Sequence, residues 1–260
     1  MGVLKMIDIH SHILPEIDDG AKHITESIAM AKLVVSEGIH TIIATPHHKN
    51  GIFENTKKNI LEKVMRLNEA LKEEAIDLKV LPGQETRIYG EILADYQKGE
   101  ILTLNDAGRY LFIELPIDSV PAYTESLLYD IQMKGLIPVI VHPERNQEFL
   151  DSPNRLYKLV KNGAMTQITA KSLVGGYGKK IKKYAQQLIE LNLTHYIASD
   201  VHNTKNRSFH MVQAYDEIES KFGVDMVYLF MDNAELLVQG KLAYKEMPQK
   251  IETKKFLGLF

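Results

Sequence analysis

Ile7-Asp8-Ile9-His10-Ser11-His12 decides how the rest of the chain is read. It is an apolar run that ends in two imidazoles one residue apart. Strand side chains alternate faces, so positions i and i+2 point the same way. With a strand over 4–9, His10 and His12 leave its end on one side, close enough to share a metal ion. Neutral imidazole is a common ligand of zinc, manganese and iron. Two histidines at a strand end can also simply hydrogen-bond, so the other strand ends settle the question.

Downstream, strand and helix alternate, the signature of parallel strands with crossover helices. Strands are expected at 41–44, 78–81, 110–113, 137–141, 165–168 and 194–198. Between them, helical spacing of apolar residues predicts helices over 24–37, 55–75 (with Asn55 as cap), 88–98, 124–134, from Pro153 onward and 179–191. Two more follow the last strand, at 209–222 and 233–239. Pro138 disfavours a simple ladder in the fifth strand. Seven βα units without a linker favour a closed or nearly closed barrel, and 260 residues suit a single such domain over 1–260. The tail 247–260 is read as a packed or frayed terminus.

Composition narrows the function. Charged residues make up 25% of the chain and the formal charge is −3 with basic residues dispersed, so no nucleic-acid footprint is present. No apolar run approaches the ~18 residues of a membrane span, and the first residues lack the features of a secretory signal; a cytoplasmic location is expected. With no cysteine, thiolate metal sites and a phosphocysteine route are closed.

In a parallel barrel the residues just after each strand share one mouth. Those positions carry His10 and His12, His47 and His48, Glu85, Glu114, His142, and then Asp200 and His202. The sixth strand ends in Thr169 and offers no obvious ligand. One ion takes three or four protein ligands, so the set overfills it; two or three ions bridged by shared carboxylates fit. Nitrogen and oxygen donors without sulfur suit manganese, iron or zinc. Asp18-Asp19-Gly20 could be only a turn, but Asp19 lies a short loop beyond His12 and joins the candidates. His48 is expected to be a solvated neighbour of His47. His23, His40, His195 and His210 read as surface or packing residues. Glu114, between Ile113 and Leu115, would be a costly unpaired charge unless a cation partners it. Arg145 and Arg207 follow His142 and His202 on the mouth side, and guanidinium groups match phosphate oxygens in bidentate geometry.

At these residues the chain resembles the polymerase-and-histidinol-phosphatase (PHP) family, and within it the manganese-dependent protein-tyrosine phosphatases of capsular and exopolysaccharide loci, the CpsB/YwqE type. The matching blocks are Asp8-Ile9-His10-Ser11-His12 with Asp18-Asp19-Gly20, Thr45-Pro46-His47-His48, Pro82-Gly83-Gln84-Glu85, Glu114-Leu115-Pro116, His142-Pro143-Glu144-Arg145 and Ser199-Asp200-Val201-His202-Asn203. The resemblance implies a distorted (β/α)7 TIM-like barrel holding three divalent metal ions. It implies His10, His12, Glu85 and Asp200 on the first ion, Glu85, Glu114 and His142 on the second, and Asp19, His47 and His202 on the third. Arg145 and Arg207 would grip the phosphate. The implied substrates are phosphotyrosines on the tyrosine-rich tail of a bacterial tyrosine kinase and on sugar-nucleotide enzymes, in the control of extracellular polysaccharide synthesis. The expected reaction is direct hydrolysis by metal-activated water, without a phosphoenzyme. Its rivals are a small-molecule phosphatase of the histidinol-phosphate type, a metal-dependent amidohydrolase, which would place a lysine where Glu114 stands, and a non-enzymatic kinase-binding module.

Overall fold

The computed structural model describes residues 6–252. Its strands are β1 (Met6–Ser11), β2 (Ile39–Ala44), β3 (His47–His48), β4 (Lys79–Pro82), β5 (Glu85–Arg87), β6 (Tyr110–Glu114), β7 (Ile137–Val141), β8 (Met165–Thr169) and β9 (Tyr196–Ala198). All pair in parallel, in two sheets ordered β1-β2-β4 and β3-β5-β6-β7-β8-β9. The nine strands make seven staves, because β3 continues β2 and β5 continues β4 after short breaks at Thr45-Pro46 and Gly83-Gln84. Across the breaks, Thr45 N donates to Ser11 O at 2.8 Å and Glu85 N to Pro46 O at 3.1 Å. Glycine is required in the second break: a Cβ on Gly83 would lie 2.7 Å from Ile43 Cγ2 and 2.9 Å from Leu104 Cδ2. A parallel bridge between Ser11 and Val201 returns the ring to β1, with Asp200 N donating to His10 O at 3.0 Å and His12 N to Val201 O at 2.8 Å.

Helices α1 (Ile24–Ser36), α2 (Lys57–Glu73), α3 (Ile92–Gln97), α4 (Thr124–Met133), α5 (Gln147–Asp151), α6 (Asn154–Lys161), α7 (Ala170–Leu173), α8 (Lys179–Glu190), α9 (Met211–Phe222) and α10 (Val224–Val238) complete the described chain. Period-2 alternation in the strands sorts their side chains into two apolar cores. Ile9, Ile43, Leu81, Phe112, Val139 and Tyr196 fill the barrel interior, whereas Ile42, Leu111, Ile113, Ile140 and Ile168 face the helices. Ala234 and Leu237 of α10 join the interior core. Below them, Tyr110 OH donates to Lys241 O at 2.6 Å and accepts from Ala243 N at 3.0 Å. That end is sealed by apolar contact and hydrogen bonds; the opposite end gathers the polar side chains. Among the described residues no helix is long and apolar enough to cross a membrane.

Several expectations need correction. β1 runs to Ser11, so His10 lies inside the strand and not beyond it, while residues 4 and 5 fall outside the described chain. Asn55 does not cap α2; its Nδ2 donates to Ile17 O and His47 O, tying two mouth loops together. The last helix begins at Val224, nine residues before Asn233, because Val227 and Phe230 also pack inward. Pro138 pairs in register with Leu111, and β8 pairing starts one residue later at Val139, so its missing N–H interrupts no ladder bond. Of the tail, Ile251 is buried and exchanges hydrogen bonds with Asn154; residues 253–260 lie outside the described chain.

Candidate functional site

The parallel register brings the predicted donors to one rim. His10 and His12 stand at the end of β1, His47 on β3, Glu85 on β5 and Glu114 at the end of β6. His142 follows β7, and Asp200 and His202 follow β9. His142 and Asp200 hold left-handed φ values of 38° and 53°, so the chain turns sharply there and aims both side chains over the mouth.

Their donor atoms form three overlapping groups, each with all members within 4.8 Å: His10, His12 and Glu85; His47, Glu85 and Glu114; His12, Asp19, His47 and His202. Glu85 Oε2 lies 3.3 Å from both His10 Nε2 and His12 Nε2 and 3.0 Å from His47 Nδ1. Asp200 Oδ1 stands 3.5 Å from the same two Nε2 atoms, and His142 Nε2 donates to Glu85 Oε1 at 2.7 Å. Asp19 Oδ1 is 3.5 Å from His47 Nε2 and 3.2 Å from His202 Nε2. Every predicted donor is therefore in or against the cluster. The grouping differs from the expectation in detail, for His47 sits beside Glu114 and His12 reaches the Asp19 group.

Whether such a cluster fits cations is tested by its unpartnered atoms. His10 Nε2, His12 Nε2, His47 Nδ1, His202 Nε2, Glu85 Oε2 and Glu114 Oε2 are buried, face the cluster and make no hydrogen bond. A buried polar atom left so costs on the order of 1–3 kcal/mol, and six together need a common partner. The far nitrogens are satisfied. His10 Nδ1 donates to Gln167 Oε1 at 2.8 Å, His12 Nδ1 to Asp18 Oδ2 at 2.6 Å and His202 Nδ1 to Asp200 O at 3.0 Å. Each bond fixes the tautomer that leaves an Nε2 lone pair pointing inward, as in outer-shell support of metal-binding histidines. The donor set fits divalent cations.

Charge says the same. Burial opposes charge on His47, yet Glu85 and Glu114 outweigh it and hold the imidazole up to about 10. Burial likewise opposes ionisation of Glu85 and Asp200, but surrounding histidines, and Arg145 beside Asp200, keep both well below the usual carboxylate range. Burial, reinforced by His12, pushes His202 down to about 4. Glu85 and Asp200 thus stay ionised among their basic neighbours, the form in which a carboxylate can hold a divalent cation.

Arg145 Nη1 lies 2.9 Å from Asp200 Oδ2, and Arg207 Nη1 lies 3.0 Å from Asp19 Oδ2 with its Nη2 3.5 Å from Asp200 Oδ2. Both guanidinium groups thus border the cluster. Asp18 and Asp19 divide their work: Asp18 accepts from His12, Gly20 N and His47 N, while Asp19 faces the donors. Two expectations fail here. Glu114 has a protein partner, Arg87 Nη2 at 3.1 Å from Oε1, and only Oε2 is left for the cluster. His48 is buried, not solvated, and belongs to none of the three groups. His195 is buried and His23 exposed, and neither belongs to the three groups. Sequence reasoning missed Arg87 and Gln167. Their signal was weak: a polar side chain at i+2 from Glu85, and a glutamine two residues before Thr169, in the one stave without an obvious ligand at its end.

Residues 6–239 match the family model described as capsular polysaccharide synthesis, CpsB/CapC. The chain belongs to the CpsB/CapC family. Across 255 residues it is 49% identical to the tyrosine-protein phosphatase YwqE of Bacillus subtilis, covering 98% of this chain and all of YwqE. It is 36% identical to the tyrosine-protein phosphatase CpsB of Streptococcus pneumoniae, over 91% of this chain and all of CpsB. A crystal structure from work on YwqE and CpsB, described there as unique metal-dependent tyrosine phosphatases, superposes with a TM-score of 0.93 at 49% identity, covering 95% of this chain and all of that one. The phosphotriesterase homology protein of Escherichia coli, at 11% identity and a TM-score of 0.59 over 91% of this chain and all of that one, shares the barrel-like fold alone.

Proposed function

We infer that this CpsB/CapC family member is a metal-dependent protein-tyrosine phosphatase. One observation carries the reading: three overlapping donor groups lie beneath two arginines, in a chain 49% identical along its length to YwqE. His10, His12, Glu85 and Asp200 would hold one ion, Glu85, Glu114 and His142 a second, and Asp19, His47 and His202 a third, with the His47 donor also within the Glu85 and Glu114 group. Nitrogen and oxygen donors without sulfur suit manganese, iron or zinc, and the resemblance to the capsular-locus phosphatases makes manganese the ion proposed. Such ions, when bound, supply Lewis-acid charge and lower the pKa of water from ~15.7 to near neutrality.

The chain's own residues do the rest. Arg145 and Arg207 present guanidinium donors to the phosphoryl oxygens, binding the dianion and stabilising charge that builds as the ester bond breaks. Asp18 and Gln167 hold His12 and His10 in register, and Arg87 aims one oxygen of Glu114 inward. The substrate's phenolate, with a pKa near ~10, leaves more readily than an alkoxide. The phosphotyrosine is carried by a bacterial tyrosine kinase with a tyrosine-rich tail and by related proteins of polysaccharide synthesis, in the cytoplasm.

Elemental analysis of the purified protein, paired with hydrolysis of a phosphotyrosyl peptide with and without chelator, tests this. Bound transition metal and chelator-sensitive turnover are expected, with Glu114→Ala folded and inactive. Undiminished turnover of that variant, or a preference for histidinol phosphate over the peptide, would overturn the assignment.

A further inference from the structure

We propose that Tyr177 is a positioning residue for the Arg145 guanidinium, an inference that rests on the assignment of the arginines to phosphate. Tyr177 sits half-buried in Gly175-Gly176-Tyr177-Gly178, the turn between α7 and α8, and belongs to neither apolar core. Its ring is therefore not there for packing. The guanidinium carbon of Arg145 stands 5.4 Å from the ring centroid, and Arg145 Nη1 donates to the Tyr177 hydroxyl at 3.4 Å. The other anchor of Arg145 is Asp200 Oδ2 at 2.9 Å, and its buried Nε makes no hydrogen bond. A guanidinium held only at one nitrogen can swing about that contact. A ring against it removes the swing and leaves the outer donors in a fixed direction, which is what bidentate recognition of a phosphate needs.

The same ring is linked through Lys171 to the segment that carries the second arginine. Lys171 Nζ lies 4.9 Å from the Tyr177 centroid and donates to the carbonyl of Asn206, the residue before Arg207. Glycine 176 makes this possible, since a Cβ there would lie 2.5 Å from Lys171 Cγ. Gly175 and Gly178 supply φ values of +87° and +94° that turn the loop back over the mouth. Tyr177 and Lys171 thus join the segment after β8 to the arginine-bearing segments after β7 and β9.

The test uses the full-length, manganese-loaded protein and inorganic phosphate as probe, with Tyr177→Ala, Tyr177→Leu, Tyr177→Phe, Arg145→Ala and the double variant Tyr177→Ala/Arg145→Ala. Losing the ring should weaken phosphate inhibition and raise KM for a phosphotyrosyl peptide about tenfold, in Ala and Leu variants alike, with metal content unchanged. Tyr177→Phe keeps the ring and should stay within about threefold of the parent. In the Arg145→Ala background the Tyr177→Ala change should have no further effect, because a residue acting through Arg145 has nothing left to act on. Parental phosphate affinity in the Ala and Leu variants, or full additivity in the double variant, overturns the inference. If Arg145→Ala itself leaves phosphate affinity unchanged, the assignment of Arg145 to phosphate falls, and the role of Tyr177 with it.

Discussion

In His10, His12 and His202, the nitrogen that faces the cluster is set by a hydrogen bond on the opposite side of the ring. Asp18 uses both oxygens, one accepting from Gly20 N at 2.9 Å and the other from His12 Nδ1 at 2.6 Å and His47 N at 3.1 Å. An amide there would turn a donor toward one of these N–H groups. Asp18→Asn is expected to weaken metal binding by roughly 10–100-fold while the protein stays folded, measured by competition with a chromophoric chelator. Unaltered affinity would show that His12 needs no anchor. Arg145→Ala and Arg207→Ala should instead keep the metals and lose phosphate affinity, by about tenfold or more; parental kcat/KM in both would remove them from the site. Only the contacts of Asp18 with Gly20 and His12, and of His202 with Asp200, are near in sequence; the others have no local signature, because the partner lies tens to hundreds of residues away. Glu114 illustrates the point: its apolar neighbours predicted a bare charge, and Arg87 on the adjacent strand answers it.

At the level of elements, the Asp18-Asp19 loop and the start of β9 show how backbone sets side-chain chemistry. A Cβ on Gly20 would lie 2.0 Å from His12 O, so the loop folds back on β1 only with glycine at that point. Gly20→Ala should displace Asp18 and Asp19 together, costing at least about tenfold in kcat/KM and lowering metal content; a fully active variant would mean the loop can shift without loss. At the sealed end, His195 Nδ1 accepts from Thr166 N at 3.1 Å and is buried. Burial, with Lys245 second, pushes it down to about 3, so it is neutral when folded. An unfolded histidine takes up its proton near pH ~6.5. Between there and pH 3 the unfolded chain binds the extra proton, and stability falls as pH falls, by up to about 1.4 kcal/mol per pH unit. Urea unfolding at several pH values should give a shallower acid slope for His195→Gln than for the parent. Identical slopes would mean His195 titrates normally in the fold.

For the whole molecule, the cluster sits where the ring of staves is joined most thinly, by the Ser11–Val201 bridge and the bonds beside it. Donors from β1, β3, β5, β6 and the segments after β7 and β9 meet there, so a bound cation ties staves from both sheets. At metal concentrations 1,000-fold above Kd, binding to the folded state adds about 4 kcal/mol, or on the order of 10 °C in Tm for a chain of this size. Calorimetry with and without chelator should show that difference. A Tm indifferent to metal would argue that the cluster is held rigid by its hydrogen bonds alone.

The seven βα units, the shared rim and the residues at it followed from local rules: period-2 apolar runs, helical spacing and the fact that parallel strands end on one side. Those rules act over a few residues and are written in the order of the chain. Tertiary structure alone decided the rest. It split two staves in two, gave Asp18 and Asp19 different work, buried His48 apart from the cluster, and set Gln167, Arg87 and Tyr177 against their partners. Each depends on which distant segments the closed ring presses together, and on the cost of leaving a polar atom there without a partner.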